Sequence, residues 1–395
     1  MLRHTPFHPR TAAHMEAQQW RRWSGFLVAS AYEMSHEREY HAIRSSAALF
    51  DVSPLKKYNV SGRDATRMLD RVVTRNVAAC QPCQVLYTPW CDSRGKVVDD
   101  GTLHRLGEEH YRLTSAEPNL SWLHDNSRGM RTNLEDVSDS IAALSLQGPL
   151  SRTILEHAAE RDLAGLKYFR LTNATIGSAS IAISRTGYTG DLGYEVWMDA
   201  ADALSVWDAL IEAGEPYGIT PAGMLALDIA RIEAGLILLD VDYVSARKAL
   251  IPAQLSSPFE LSLGWTVKLD KGSFNGAHAL REEQARGLEW TLVGLEIEWP
   301  SFERVFESLG LAPRLSATAS RVSVPVYADG RQIGYATSST WSPLLKRFIA
   351  LAHLEVSHAS VGRSVEFEIT VEHRRHRANA KVRKLPFYDP PRKRA

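Results

Sequence analysis

Apolar positions in this 395-residue chain follow two rhythms, one of period two and one of helical period, that alternate in blocks. Residues 13–45 mix polar and apolar positions without proline or repeated glycine, which predicts helix. From Ala47 to Ser53 the chain turns to a β pattern. Tyr58–Ser61 reads as a strand, Ser61-Gly62 as a turn, and the following segment to Val73 as a helix. Strands are expected over Gln84–Trp90, Lys96–Arg105 and His110–Ser115, then a helix over Leu120–Asn126. The series recurs. A strand from Ala142 ends in the turn Gly148-Pro149, Ser151–Ala159 is a helix, strands fill Tyr168–Glu195, and Ala201–Ala213 is a helix. Two α+β subdomains of similar build follow from this repetition. Ala222–Leu239 reads as one long helix, and Glu303–Pro313 as a short helix and loop. Alternating runs at Thr291–Ile297, Val322–Tyr327, Gln332–Ser338, Phe348–Leu354, Ser364–Val371 and Ala378–Leu385 predict a small closed barrel. The expected division is 1–285 and 286–395.

Two segments carry candidate chemistry. Ser184-Arg-Thr-Gly-Tyr-Thr-Gly-Asp-Leu-Gly-Tyr-Glu195 reads as strand, glycine-rich turn and strand. Its glycines serve either positive-φ turn positions or the close approach of backbone to a ligand. Its tyrosines and Glu195 offer ring faces and a carboxylate to a flat heterocycle with paired N–H donors. In Arg94–Arg105, Asp99 and Asp100 must point to opposite faces of a strand, while Asp100, Thr102 and His104 share one. A carboxylate inside a β run has to be solvated, paired or functional.

Composition narrows the classes. Hydrophobic residues make up 44% and charged residues 23%, as in globular proteins, and 46 basic residues balance 46 acidic ones. Zero net charge gives no pull toward nucleic acid or anionic membrane. The basic segments His373–Lys384 and Pro391–Ala395 read as a solvated strand face and a terminus. No segment has the length of a membrane helix, and the first residues have no apolar signal core, so a cytoplasmic protein is expected. Three cysteines lie within Cys80–Cys91. Cys80-Gln-Pro-Cys83 lacks a second pair for zinc and Cys91 stands alone, so neither a metal nor a disulfide framework is expected.

Several motifs in order carry a resemblance: Phe50-Asp-Val-Ser53, Val97-Val-Asp-Asp100, Leu146-Gln-Gly-Pro149, the segment Ser184–Glu195, Pro221-Ala-Gly223, Asp228, Arg231-Ile-Glu-Ala-Gly235, Pro258-Phe-Glu260, Ser338, Ser342-Pro343 and Leu385-Pro-Phe-Tyr388. Over nearly the whole chain the sequence resembles the glycine-cleavage T-protein (aminomethyltransferase) family and its relatives, the tetrahydrofolate-dependent demethylases. The resemblance implies an α+β three-domain cloverleaf, with two subdomains around a central folate cavity and a C-terminal antiparallel barrel. It implies tetrahydrofolate as cofactor, Asp100 as the catalytic aspartate and Glu195 as the pterin-binding glutamate. Tyr87 and Tyr188 match aromatic positions lining the folate, and Ser115 stands where the family has asparagine. Trp265 is a candidate wall of the same cavity, with an ordinary core position as the competing reading. His104 and Tyr243 are candidate acids for a leaving group, each with a structural role as the alternative.

Departures from the family pattern point to a branch. Leu227 replaces the arginine before Asp228, Pro54-Leu55 replaces His-Met, and the segment Leu239–Lys248 differs. The loss of a fixed positive charge favours a member that moves a methyl group from the O, N or S of a small free substrate to N5 of tetrahydrofolate. The alternative is aminomethyl transfer from a lipoyl carrier protein. A non-enzymatic folate-binding protein is a third reading, weakened because no cysteine lies in Arg185–Tyr188.

Overall fold

The computed structural model describes residues 2–395. The N-terminal segment departs from the expected helix. Gln19–Trp23 and Phe26–Ala31 form a hairpin, Arg3–His4 pairs parallel to its second strand, and the helical parts are His8–Ala13 and Glu37–Ser45. The reversal lies at Ser24-Gly25, both at positive φ (46° and 87°), the geometry that two-residue hairpin loops favour. Aromatic and β-branched side chains in the two arms then outweigh the absence of proline.

The first subdomain is a five-stranded sheet in the order Val85–Cys91, Val97–Arg105, His110–Ser115, Lys56–Ser61, Asn133–Asp136. Helices Ala65–Val72 and Leu120–Asn126 contribute to a core of Tyr58, Met68, Leu69, Trp90, Leu103, Tyr111, Leu113 and Leu123 on one face. The second is a six-stranded sheet: Leu171–Ile176, Ala179–Ser184, Gly193–Asp199, Ile141–Gln147, Ala47–Asp51, Ile219–Pro221. Ser151–Ala159 and Ala203–Gly214 pack into one of its cores, Glu37–Ser45 and Met224–Glu233 into another.

A closed antiparallel barrel follows, built from Trp290–Ile297, Val324–Ala328, Arg331–Ser342, Arg347–Glu355, Ser364–Val371 and Arg374–Arg383. Its helix is Trp299–Glu307, starting four residues before the expected one because Pro300 suits the first helical turn. The long helix expected over 222–239 is Met224–Glu233. Ala234-Gly235 ends it, with Gly235 at φ 64°. The chain then runs irregularly to Tyr243.

Here the three parts meet. Arg231 is buried and donates to Asp242, Ser338 and the Leu236 carbonyl, while Thr337 and Ser338 of the barrel also donate to Asp242. Two residues on, Glu233 accepts from Arg44, Tyr40 and the barrel's Ser342. No helix among the described residues is long and apolar enough to cross a membrane.

Candidate active site

Strand alternation sets the site's geometry. Val85–Cys91 pairs with Val97–Arg105 so that Tyr87 lies opposite Thr102 and diagonal to Asp100 on the same face. Tyr87 donates its hydroxyl to Asp100 Oδ2 at 2.8 Å, and Tyr243, from the irregular segment, donates to Oδ1. Each oxygen of one carboxylate thus receives a phenol. Burial pushes the Asp100 carboxyl up, and the two phenols pull it back down. The phenols themselves are pushed well above their ordinary range, first by burial and then by the Asp100 charge.

Asp99 faces the other way. It accepts from the Asp100 and Glu117 amides and from Asn119 Nδ2, and burial followed by the neighbouring Asp100 raises it to about 8. Ser115 lies on this side and not with Asp100. Thr114 bonds Thr102 at 2.8 Å on the Asp100 face, so the next residue points oppositely, and the Ser115 hydroxyl is given to the Glu117 carbonyl at 2.7 Å. The expected folate contact from Ser115 therefore has no geometric support.

His104 does share the Asp100 face, but it is sealed in. Its Nε2 meets Thr102 Oγ1 at 3.0 Å and its ring packs edge-on against Trp197 at 5.2 Å. Burial lowers it to about 3, so at neutral pH it holds no extra proton to give. Its part is to join the two sheets, and the candidacy as leaving-group acid falls. Tyr243 is likewise unsuited to that role, since its proton is committed to Asp100.

Trp265 is 55% exposed and stacks near Tyr87, ring centroids 6.1 Å apart, with the Arg75 guanidinium 5.4 Å from its ring. It is a rim aromatic and not part of the core. Tyr188 gives its hydroxyl to the Ile237 carbonyl, and burial raises it, with Asp242, Asp100 and Asp228 adding to the rise. Glu195 accepts from Thr186 and Ser184 on Oε2 alone, and burial raises it. Among the described residues Oε1 accepts nothing. Ser184 also takes a hydrogen bond from Trp197 Nε1, which connects Glu195 to the His104 contact.

Gly187 and Gly193 of this loop have a different reason from close ligand approach, while Gly190 sits at φ 76°. A Cβ on Gly187 or Gly193 would lie 2.1 or 2.2 Å from Gln147 Oε1. Gln147 is buried and bonds Ser145, the Thr186 carbonyl and Thr189. The loop is wrapped around one amide of the Leu146–Pro149 motif, forty residues earlier. Cys80, Cys83 and Cys91 are unbonded to one another, and only Cys83 is exposed.

A family model described as the GCVT N-terminal domain matches residues 4–271, and the glycine cleavage T-protein C-terminal barrel domain matches 309–389. The chain belongs to the glycine-cleavage T-protein family. An aminomethyltransferase of Halothermothrix orenii is 37% identical over 355 residues, 88% of this chain and 90% of that protein. One from Bacillus pumilus is 32% identical over 98% of this chain and 99% of its own length. The crystal structure of glycine cleavage system aminomethyltransferase T from Bartonella henselae shares the fold, with a TM-score of 0.83, 22% identity, and coverage of 98% and 99% of the two chains. As a T-protein family member, the protein is a tetrahydrofolate-dependent one-carbon transferase. Its residues suit that cofactor. Glu195 keeps one carboxylate oxygen free for a ring donor, Tyr87 and Trp265 supply aromatic faces, and the Asp100 carboxyl lies beside Tyr87.

Proposed function

We propose that this T-protein family member is an aminomethyltransferase acting on a lipoyl carrier protein, with Asp100 as its catalytic residue. The observation that carries the reading is the two-phenol clamp on Asp100, taken with aminomethyltransferase relatives at 32–37% identity. Tetrahydrofolate supplies, when bound, the N5 nucleophile that accepts the one-carbon unit. Glu195 Oε1 would accept ring N–H donors, and Tyr87, Tyr188 and Trp265 would bound the ring. Asp100, held by Tyr87 and Tyr243, would oppose positive charge building on the nucleophile without reorganising. Transfer to give methylene-tetrahydrofolate would break the C–S and C–N bonds of the aminomethyl thioether and release a thiol and ammonia; because neither His104 nor Tyr243 has a proton to spare, the two protons those groups take would be balanced by the ones N5 and N10 of the folate give up.

The second reading, demethylation of a small O-, N- or S-methyl donor, is favoured by Leu227 and Pro54-Leu55. Against it, Asp228 draws arginines from two other segments, Arg21 and Arg321, so positive charge is not missing from this region. The test is a product assay. Protein and tetrahydrofolate are incubated with aminomethylated lipoyl carrier, and separately with methoxy-aromatic, betaine-like and sulfonium donors. Methylene-tetrahydrofolate from the carrier alone is expected; methyl-tetrahydrofolate from a small donor alone would replace the carrier reading with the demethylase.

A further inference from the structure

Where helix Met224–Glu233, the N-terminal hairpin and the approach to the barrel converge, three guanidinium groups face too few acids. Arg321 places Nε and Nη2 on the same oxygen of Asp228, at 2.9 and 2.5 Å. Arg231 reaches the other oxygen at 3.4 Å and spends its remaining donors on Asp242, Ser338 and the Leu236 carbonyl. Arg21 is left with Nε on Ser30 Oγ, and its Nη1 stands 3.6 Å from an Asp228 oxygen that Arg321 has already taken. That nitrogen is buried and has no hydrogen-bond partner. Three cations therefore share Asp228 and Asp242, one positive charge in excess. An unmatched guanidinium in a partly desolvated place is costly unless an anion completes it.

The pair borders solvent, with the Arg21 and Arg321 side chains 26% and 39% exposed, although Arg21 Nη1 itself is covered and a ligand would meet it only after the guanidinium turns outward. It is also wired to the site. Asp242 is bonded by Arg231 and adjoins Tyr243, which bonds Asp100, and Tyr188 feels both Asp228 and Asp100. Leu227, which stands where the family carries arginine, packs in the same cluster as Trp23 and Ala319, each two residues from Arg21 or Arg321. We infer that Arg21 and Arg321 together bind a carboxylate of a reactant: the glutamyl tail of folate under the carrier reading, or the carboxylate of a small acidic donor if the demethylase reading replaces it. Guanidinium forks match carboxylates in geometry as well as charge. The inference rests on the folate-dependent transfer proposed above.

The test compares wild type, Arg21→Gln, Arg321→Gln and Arg21→Lys. Affinities are measured by fluorescence quenching for tetrahydrofolate and for tetrahydropteroate, which has the same ring and no glutamate. Thermal shifts are recorded with N-methylglycine, a betaine and a sulfonium carboxylate. If the tail is the ligand, wild type prefers tetrahydrofolate by about tenfold or more, the worth of one charge-assisted hydrogen bond. Arg21→Gln then abolishes the preference without changing tetrahydropteroate affinity, and Arg21→Lys keeps part of it. If a donor acid is the ligand, its thermal shift disappears in Arg21→Gln while the folate preference is unchanged. Variants that match wild type in both arms overturn the inference. A wild type that binds neither pterin compound defeats the folate reading instead, and the donor arm still decides the arginine pair.

Discussion

At the scale of single residues, Asp100 and Asp99 differ only in the face they occupy, and that assigns them different work. Asp100→Asn keeps the shape and removes the anion, so it should lower turnover by about 10²–10³, as for loss of one preorganised electrostatic partner. Folate affinity, measured in the same preparation, should change far less; unchanged turnover would remove Asp100 from catalysis. Asp99 governs stability instead. Its native value of about 8 lies above the ordinary 3.8, so between these the folded protein holds a proton the unfolded chain releases. Its contribution is therefore full below about pH 4 and is lost as pH rises toward about 8, by up to about 1.4 kcal/mol per unit. Asp99→Asn should flatten the melting temperature across that interval, and an unaltered pH slope would show that Asp99 is ionised throughout. Of the candidate site, the face shared by Asp100, Thr102 and His104 was legible from strand alternation, whereas Tyr87 entered as a candidate only through the family resemblance. Ser115 was not legible, because its face depends on the register against Lys56 and Thr102, which a single strand does not record.

At the scale of elements, the glycine-rich loop shows what local pattern conceals. Its strand–turn–strand form was readable, yet two of its glycines, Gly187 and Gly193, answer to Gln147, which lies in another strand. Gly187→Ala forces a methyl group into a buried amide that already makes three hydrogen bonds. The expected cost is about 1–3 kcal/mol, typical of overpacking, in denaturant unfolding. Weaker folate binding should accompany it, since Tyr188 is the next residue; a variant with native stability would mean that the amide can move aside. The barrel strands were legible for the opposite reason, since their period-two pattern is fixed by a core they share. The hairpin over residues 19–31 escaped because one Ser-Gly pair decides it, and nothing else in that stretch breaks a helix.

At the scale of the whole molecule, buried ion networks join the parts beside an apolar cluster that runs from Cys91 and Val97 through Ile232 and Tyr243 to Ile349 and Leu351 of the barrel. Arg231→Met takes the guanidinium away from buried Asp242, while Asp228 keeps Arg321, and should cost about 3–5 kcal/mol, the range for breaking a buried pair. Removing the exposed Arg331–Glu355 pair should cost under about 1 kcal/mol. Equal losses from the two would mean that water reaches the junction. The C-terminal segment adds another fastening. Arg392 grips both oxygens of Asp191 in the glycine-rich loop, and Tyr388 donates to the same carboxylate.

Neighbouring residues Asp242 and Tyr243 carry opposite ties: the first is moored to the barrel by Thr337 and Ser338, the second to the Asp100 carboxylate. A single peptide link is thus the whole distance between barrel and chemistry. It follows that the barrel is not an exchangeable module. A chimera carrying a foreign barrel could fold and still lose activity, unless the graft brought hydroxyls to the same two places.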